Sequence, residues 1–306
     1  MPLQAVPFIV ILGALWGTTL VASRFSVDQF APSTYIGLRL MLAVLGFALV
    51  YLLSKERRWP TDRVLWKRAA LLGIFGTAIP MNFIVMSLQY QSSGITSILI
   101  TLSPAITVVM AHFFLDDEHL SKQKLAGIAL ALSGALMLLL LGESGLPDVE
   151  KASPIGYGLV IAAMVCGSAM TIFARKKMNN MDSVDVSSVR MLVAALVVLP
   201  LSVLLVGFDL SAVDMQGALA LGWAALAGTF LGMLIAFYII KRFGATASAM
   251  TAYVIPVVAS IVGMLVLGEK FTSGMLGGMA LIVAGIAIIN RRERKVVVAG
   301  PEAFTD

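Results

Sequence analysis

The chain has 306 residues and a net charge of +5, and it is 59% hydrophobic but only 13% charged, with a mean hydropathy of +0.95. Soluble domains are roughly half apolar and a quarter charged, so this composition excludes a soluble globular protein. It also moves the meaning of the positive charge from nucleic-acid binding to the loops of a membrane protein.

A bilayer core of about 30 Å takes roughly twenty apolar residues per helix. In chain order, that length predicts membrane helices over residues 7–23, 34–53, 69–90, 95–115, 123–141, 155–173, 186–206, 217–240, 246–267 and 274–290. The runs are continuously apolar, which excludes the alternation over about ten residues that a lipid-facing barrel shows. The first run has no basic segment before it and reads as a retained helix rather than a cleaved signal. Cys166, the single cysteine, falls mid-helix and leaves no partner for an internal disulfide.

The loops alternate in charge. Seventeen of the 22 Lys and Arg lie on the side shared by the two chain ends, six of them between the second and third helices. The opposite side holds Arg24, Lys151 and Lys270, and only Arg39 and Arg190 lie within apolar runs. The positive-inside rule therefore places both termini in the cytoplasm, with residues 296–306 as a cytoplasmic tail.

The halves repeat. "GLRLMLA" (37–43) aligns with "SVRMLVA" (188–194), which sets Arg39 over Arg190; "GTAIPM" from Gly76 matches "GTFLGM" from Gly228. Pro104 falls on Pro256, and Glu118, Gly127 and Gly134 fall on Glu269, Gly278 and Gly285. Each half holds five helices, an odd number, so the second half enters the membrane upside down. The reading is an all-α membrane fold of ten transmembrane helices in two inverted five-helix repeats, residues 1–142 and 152–295. Inverted repeats are a transporter signature, because two pseudo-symmetric halves can rock about a midplane site.

With "LWG" at 15–17, the paired arginines, Ser103-Pro104 and Ile255-Pro256, and an acidic residue followed by glycines in "LGEKFTSGMLGGMALIVAGI", the chain resembles the EamA-type branch of the drug/metabolite transporter superfamily over about residues 7–290. "LDDEHL" departs from the Gly-Glu more usual there. The resemblance implies ten helices in two repeats and, for many members, export of amino acids or other small metabolites.

Which residues would meet a solute follows from polarity in hydrocarbon. The lining draws on Trp16, Thr19, Asn82, Ser97, Thr101, Ser168, Tyr238, Thr251 and Tyr253. An amide such as Asn82 within "AIPMNFIVM" costs several kcal/mol if left unpaired, so it faces either a neighbouring helix or a cavity. Trp16 and Tyr253 offer flat apolar faces with one polar tip. Arg39 and Arg190 either pair with carbonyls and neighbours to steady their helices or flank the cavity and grip a carboxylate through two hydrogen bonds. Pro104 and Pro256 each remove a helical hydrogen bond, to the carbonyls of Ile100 and Ala252, and read as hinges. The glycines of the tenth helix, Gly274 and Gly278 among them, read as close packing within a monomer.

No Asp or Glu falls well inside a predicted helix, which weakens proton coupling through a buried carboxylate. His112, near the end of the fourth helix, reads as a packed histidine. A metal enzyme built on "DDEH" (116–119) is a different class of reading, but four contiguous loop residues cannot all point at one ion. An exchanger of phosphorylated or nucleotide-sugar solutes is the closer alternative, and it would need more cationic groups at the cavity. Nothing resembles a phosphate loop, so no cofactor is implied and the expected partners are a small solute and the lipid bilayer, with no nucleic acid.

Overall fold

The structure is a computed structural model that describes residues 3–54, 57–115 and 119–290. Ten apolar helices cross in sequence: α1 (Leu3–Ser26), α2 (Pro32–Leu53), α3 (Arg63–Ser87), α4 (Ser93–Phe114), α5 (Lys122–Leu140), α6 (Ile155–Lys177), α7 (Ser183–Leu205), α8 (Met215–Phe243), α9 (Ala247–Leu267) and α10 (Ser273–Asn290). There are no strands among the described residues. The predicted spans are all present; the first, sixth and eighth run about a turn further at an end, the third begins six residues earlier and ends three earlier, and the rest agree within three residues. Polar caps explain where several begin. Asp62, Ser92, Ser121, Asp182 and Asp214 each accept from the first free amides of the following helix, donors that would otherwise lack a partner.

The closest helix pairings join one half of the chain to the other: α5 with α10, α2 with α7, α1 with α9, and α3 with α6 and α7. Exchanging the halves maps the first two pairs onto themselves and the others onto α6 with α4, α8 with α1 and α8 with α2, which also touch. The α5–α10 pair displays the inversion at residue level. A Cβ added at Gly127 would lie 2.6 Å from the Gly285 carbonyl oxygen, and one at Gly134 would lie 2.7 Å from that of Gly278. Gly127 is the sequence twin of Gly278 and Gly134 that of Gly285, so each glycine meets the twin of the other across an antiparallel contact. Without a hydrophobic drive between helices in lipid, such backbone contact is a main source of association.

Large apolar side chains such as Leu45, Leu52, Phe113, Leu204 and Leu265 are exposed around the bundle. On a soluble protein this would be an adhesive patch; here it is the surface that meets acyl chains. Tyr35, Leu40, Phe47 and Leu88 pack inside with Met191, Ala194 and Ala195 of the other half.

Four interruptions break the helices in related places. π-helical turns span Ile74–Ala78 in α3 and Trp223–Leu231 in α8. The α4 helix breaks at Thr101 and Leu102, so that Pro104 sits in the first turn of its second part. The α9 helix is irregular at Met250, while Pro256 stays inside the helix.

Gly127→Leu and Gly285→Leu should each destabilise the fold by about 1–3 kcal/mol through overpacking, read as a lowered melting temperature in detergent. Melting at the wild-type temperature would show that α5 and α10 do not touch as described.

Candidate functional site

The two intramembrane arginines are held by the two π-helical turns, each by the turn of the opposite half. Arg39 on α2 donates from Nε to the hydroxyl of Thr229 on α8, at 2.8 Å. Arg190 on α7 donates from Nε to the hydroxyl of Thr77 on α3, and from Nη2 to the Gly76 carbonyl at 2.8 Å. The threonines are twins, and each hydroxyl also reaches a carbonyl five residues back, Thr229 to Ala224 and Thr77 to Leu72. That i−5 spacing belongs to a π turn, which widens the helix and recurs at functional sites. No carboxylate lies within ion-pair distance of either guanidinium among the described residues.

The carbonyls beside these threonines are freed in two ways. Pro80 has no N–H to give to Gly76, four residues earlier, so Gly76 accepts from Arg190 instead. In the twin position stands Gly232, whose amide turns to Ala227 and Thr229. The Gly228 carbonyl accepts from the indole Nε1 of Trp16 at 3.1 Å. Arg39 makes its second hydrogen bond elsewhere, from Nη1 to Ser23 at 3.3 Å.

Arg39, 9% exposed, lines a cavity of about 170 Å³ together with Trp16, Thr19, Leu20 and Ser23 of α1, Met81, Ile84 and Val85 of α3, Ile100 of α4 and Ile255 of α9. It runs from mid-depth, at Trp16 and Ile100, to within a turn of the ends of α1 and α3 on the face opposite the chain ends. Its volume is below the roughly 300–1,000 Å³ of sites for drug-sized ligands. The walls are apolar apart from the arginine, the indole and two hydroxyls. Ile100 is the residue whose carbonyl loses its helical donor to Pro104.

A second buried charge lies on that same face. Glu269, in the α9–α10 loop, is 5% exposed and accepts from the Ser93 amide at 2.8 Å, the Ser93 hydroxyl at 2.7 Å and the Gly94 amide at 3.3 Å. It thereby ties the N-terminus of α4 to the second half of the chain. Burial raises its carboxyl above the ordinary value, although the bonds from Ser93 and Gly94 favour the charge. Its twin, Glu118, lies outside the described residues, as do Asp116 and Asp117 of "DDEH" and the tail.

Against known proteins, the sequence profile described as the EamA-like transporter family matches residues 3–140 and again 154–291. The chain belongs to that family. An uncharacterised transporter of Archaeoglobus fulgidus is 26% identical over 280 residues, which take in 90% of this chain and 95% of the relative. A protein of Salmonella typhimurium named "Probable amino-acid metabolite efflux pump" is 27% identical over 286 residues, 90% of each chain. The Escherichia coli inner membrane transporter YedA, itself uncharacterised, is 26% identical over 90% of this chain and 87% of its own. A crystal structure with 18% identity superposes with a TM-score of 0.66, covering 94% of this chain and 96% of its own, which establishes the fold alone.

Within this EamA-like fold the residues singled out from the sequence separate. Trp16, Thr19 and Arg39 come together on the cavity wall. The others are placed elsewhere: the Asn82 amide bonds the Ala78 carbonyl of its own helix, and Ser97 and Thr101 bond Gly94 and Ile98 in the same manner. Ser168 accepts from Thr107 across the α4–α6 contact, and Arg190 is held by Thr77 and Gly76. Tyr238, 47% exposed, packs against Phe8, and Tyr253 accepts from Asn290. The Thr251 hydroxyl is buried without a partner among the described residues. The sequence reading passed over Thr77, Thr229 and Ser23, and it marked Glu269 only as a repeat and family position, not as a buried tie to α4. The repeated "GT" of "GTAIPM" and "GTFLGM" was the available signal for the threonines, and "LGEK" for the glutamate.

Thr77→Val and Thr229→Val should each lower stability by about 1–3 kcal/mol, since a guanidinium Nε–H is left unsatisfied in the membrane, with Ser substitutions restoring most of the loss. Unchanged melting of both Val variants would show that the π-turn hydroxyls do not hold the arginines. Glu269→Gln should also melt earlier, because a neutral amide caps α4 less strongly than a carboxylate; a wild-type melting curve would remove that tie.

Proposed function

We propose that the protein exports amino acids or similarly small metabolites across the inner membrane by alternating access, with both chain ends in the cytoplasm. The observation that carries the reading is a membrane-buried cavity bounded by helices of both inverted halves. Inverted halves give a carrier two equivalent ways to tilt about one central site. Support for the solute class comes from the cavity and from a relative. Its volume suits a single small molecule, and its walls offer one guanidinium, one residue with a freed carbonyl and apolar surface for the rest. The Salmonella relative is named as an amino-acid metabolite efflux pump. The orientation is supported by the uneven charge of the loops and helix ends: Arg57, Arg58, Lys67, Lys176, Lys241 and Arg242 all belong to the face of the chain ends.

The second reading, an exchanger of phosphorylated or nucleotide-sugar solutes, has less support. One arginine at a cavity of about 170 Å³ is thin provision for a multiply charged nucleotide. An enzyme has no support from the relatives, which are named transporters.

Counterflow in proteoliposomes, with a panel of amino acids, organic cations and sugar nucleotides, tests the reading; failure to carry any of them would refute it. Repeating the leading solute with and without a pH gradient reports proton coupling. Trp16→Ala should cut counterflow about tenfold while the protein still inserts, the scale of a lost aromatic wall; full activity in that variant would remove the cavity from the transport path.

A further inference from the structure

We propose that the cavity recognises its solute by a carboxylate, gripped by the outer nitrogens of Arg39, and that Trp16 keeps those nitrogens available. The inference rests on the reading of the cavity as the solute site and adds what the solute must carry. It follows from a difference between the two arginine sites, whose frames are otherwise twins.

At the second site, Arg190 closes on its own π turn. Its Nε bonds the threonine and its Nη2 bonds the adjacent carbonyl of Gly76. At the first site, the equivalent carbonyl belongs to Gly228 and is occupied by the Trp16 indole. The spacing that sets Arg39 over Arg190 sets Trp16 over Gly167, which has no side chain to do the same for Gly76. Arg39 consequently keeps its Nε on Thr229 and lends Nη1 to Ser23 at a long 3.3 Å, and no hydrogen bond from its Nη2 is formed among the described residues. A guanidinium 91% buried, lining a cavity and facing no carboxylate of the protein, leaves both a charge and donors unanswered. In a low-dielectric surrounding that imbalance is large, and an entering anion relieves it.

The Nη1–Nη2 edge presents parallel N–H bonds at the spacing of the two oxygens of a carboxylate. A phosphate dianion would bring a second charge and further acceptors with no second cation on the wall to meet them. The remaining wall, Leu20, Ile84, Val85 and Ile255 with the indole, suits an apolar or aromatic body. Trp16 is a positioning residue in this account: its N–H matters because it keeps Gly228 from capturing Arg39.

The test uses full-length protein in detergent with two probes of nearly equal shape, 3-phenylpropionate and 3-phenylpropionamide, read by thermal melting and by quenching of tryptophan fluorescence. The acid should bind about tenfold or more tightly than the amide, as a charge-assisted pair requires, and 2-phenylethylammonium should not compete. Arg39→Gln should erase the preference for the acid, whereas Arg190→Lys should retain it. Trp16→Phe, which keeps a ring and loses the N–H, should weaken the acid several-fold and leave the amide unchanged. Equal binding of acid and amide to wild-type protein, or binding of neither, overturns the proposal without any need for the variants. Counterflow of neutral or cationic solutes with no acid preference would sink this inference and leave the transporter reading standing. Acid-selective binding by a protein that carries nothing across liposomes would do the reverse.

Discussion

A guanidinium in hydrocarbon must be answered by something, and this architecture turns that requirement into its central joint. Each arginine crosses from its own half to a hydroxyl of the other, so the two halves cannot separate there without exposing a buried charge to lipid. The hydroxyls exist at the right height because each helix carrying them is widened by a π turn, and the turn in α3 is followed by a proline that liberates one more carbonyl. An ordinary α-helix would spend those carbonyls on its own amides.

Glycine contact and the arginine joints divide the work of holding the bundle. Between α5 and α10 the backbones lie against each other, as lipid-embedded helices with no hydrophobic drive require. Nearer the centre the halves share an apolar core with a few polar joints, beside a cavity whose walls are mostly apolar. No residue of the α5–α10 pair lines the cavity, whereas Arg39 of one joint and Ile100 beside the α4 break do. Breaks at Thr101–Leu102 and at Met250 lie in α4 and α9, which touch through Gly94 and Ser260. Helices interrupted at depth are tolerated when the freed backbone groups face protein or a cavity, and the break at the buried Thr101 and Leu102 meets that condition.

The fold was legible in the sequence because lipid imposes a length and a polarity that no packing detail can override. Ten spans, the odd count per half and the twin glycines follow from those constraints, and the structure places them as read. Of the three foreseen residues that line the cavity, Trp16 and Arg39 had no local way to satisfy themselves, whereas Thr19 bonds the Leu15 carbonyl one turn back. Trp16 and Arg39 reach outside their own helices for partners and so had to mark something. Asn82, Ser97 and Thr101 resemble them in a sequence, but each bonds a carbonyl one turn back, a choice made by rotamer and neighbour rather than by residue type. Glu269 was hidden for the converse reason. It belongs to a loop, where carboxylates are ordinarily wet, and only the folding of that loop onto Ser93 and Gly94 buries it.

Symmetry of backbone with asymmetry of side chains has a consequence for direction. If the halves exchange roles during a cycle, the environment of Arg190 becomes the open one, and there Gly167 and Met170 stand where Trp16 and Thr19 stand now. The solute would then meet a barer site on that face and bind it less well. Unequal affinities do not by themselves drive net export. In a carrier coupled to nothing but its solute, a difference in affinity between two states is matched by a difference in the free energy of those states when empty, and the cycle closes with no net work. Under the proposed cycle the side-chain asymmetry would set which face saturates first, while the gradient of the solute, or of an ion bound with it, would set the direction of flow.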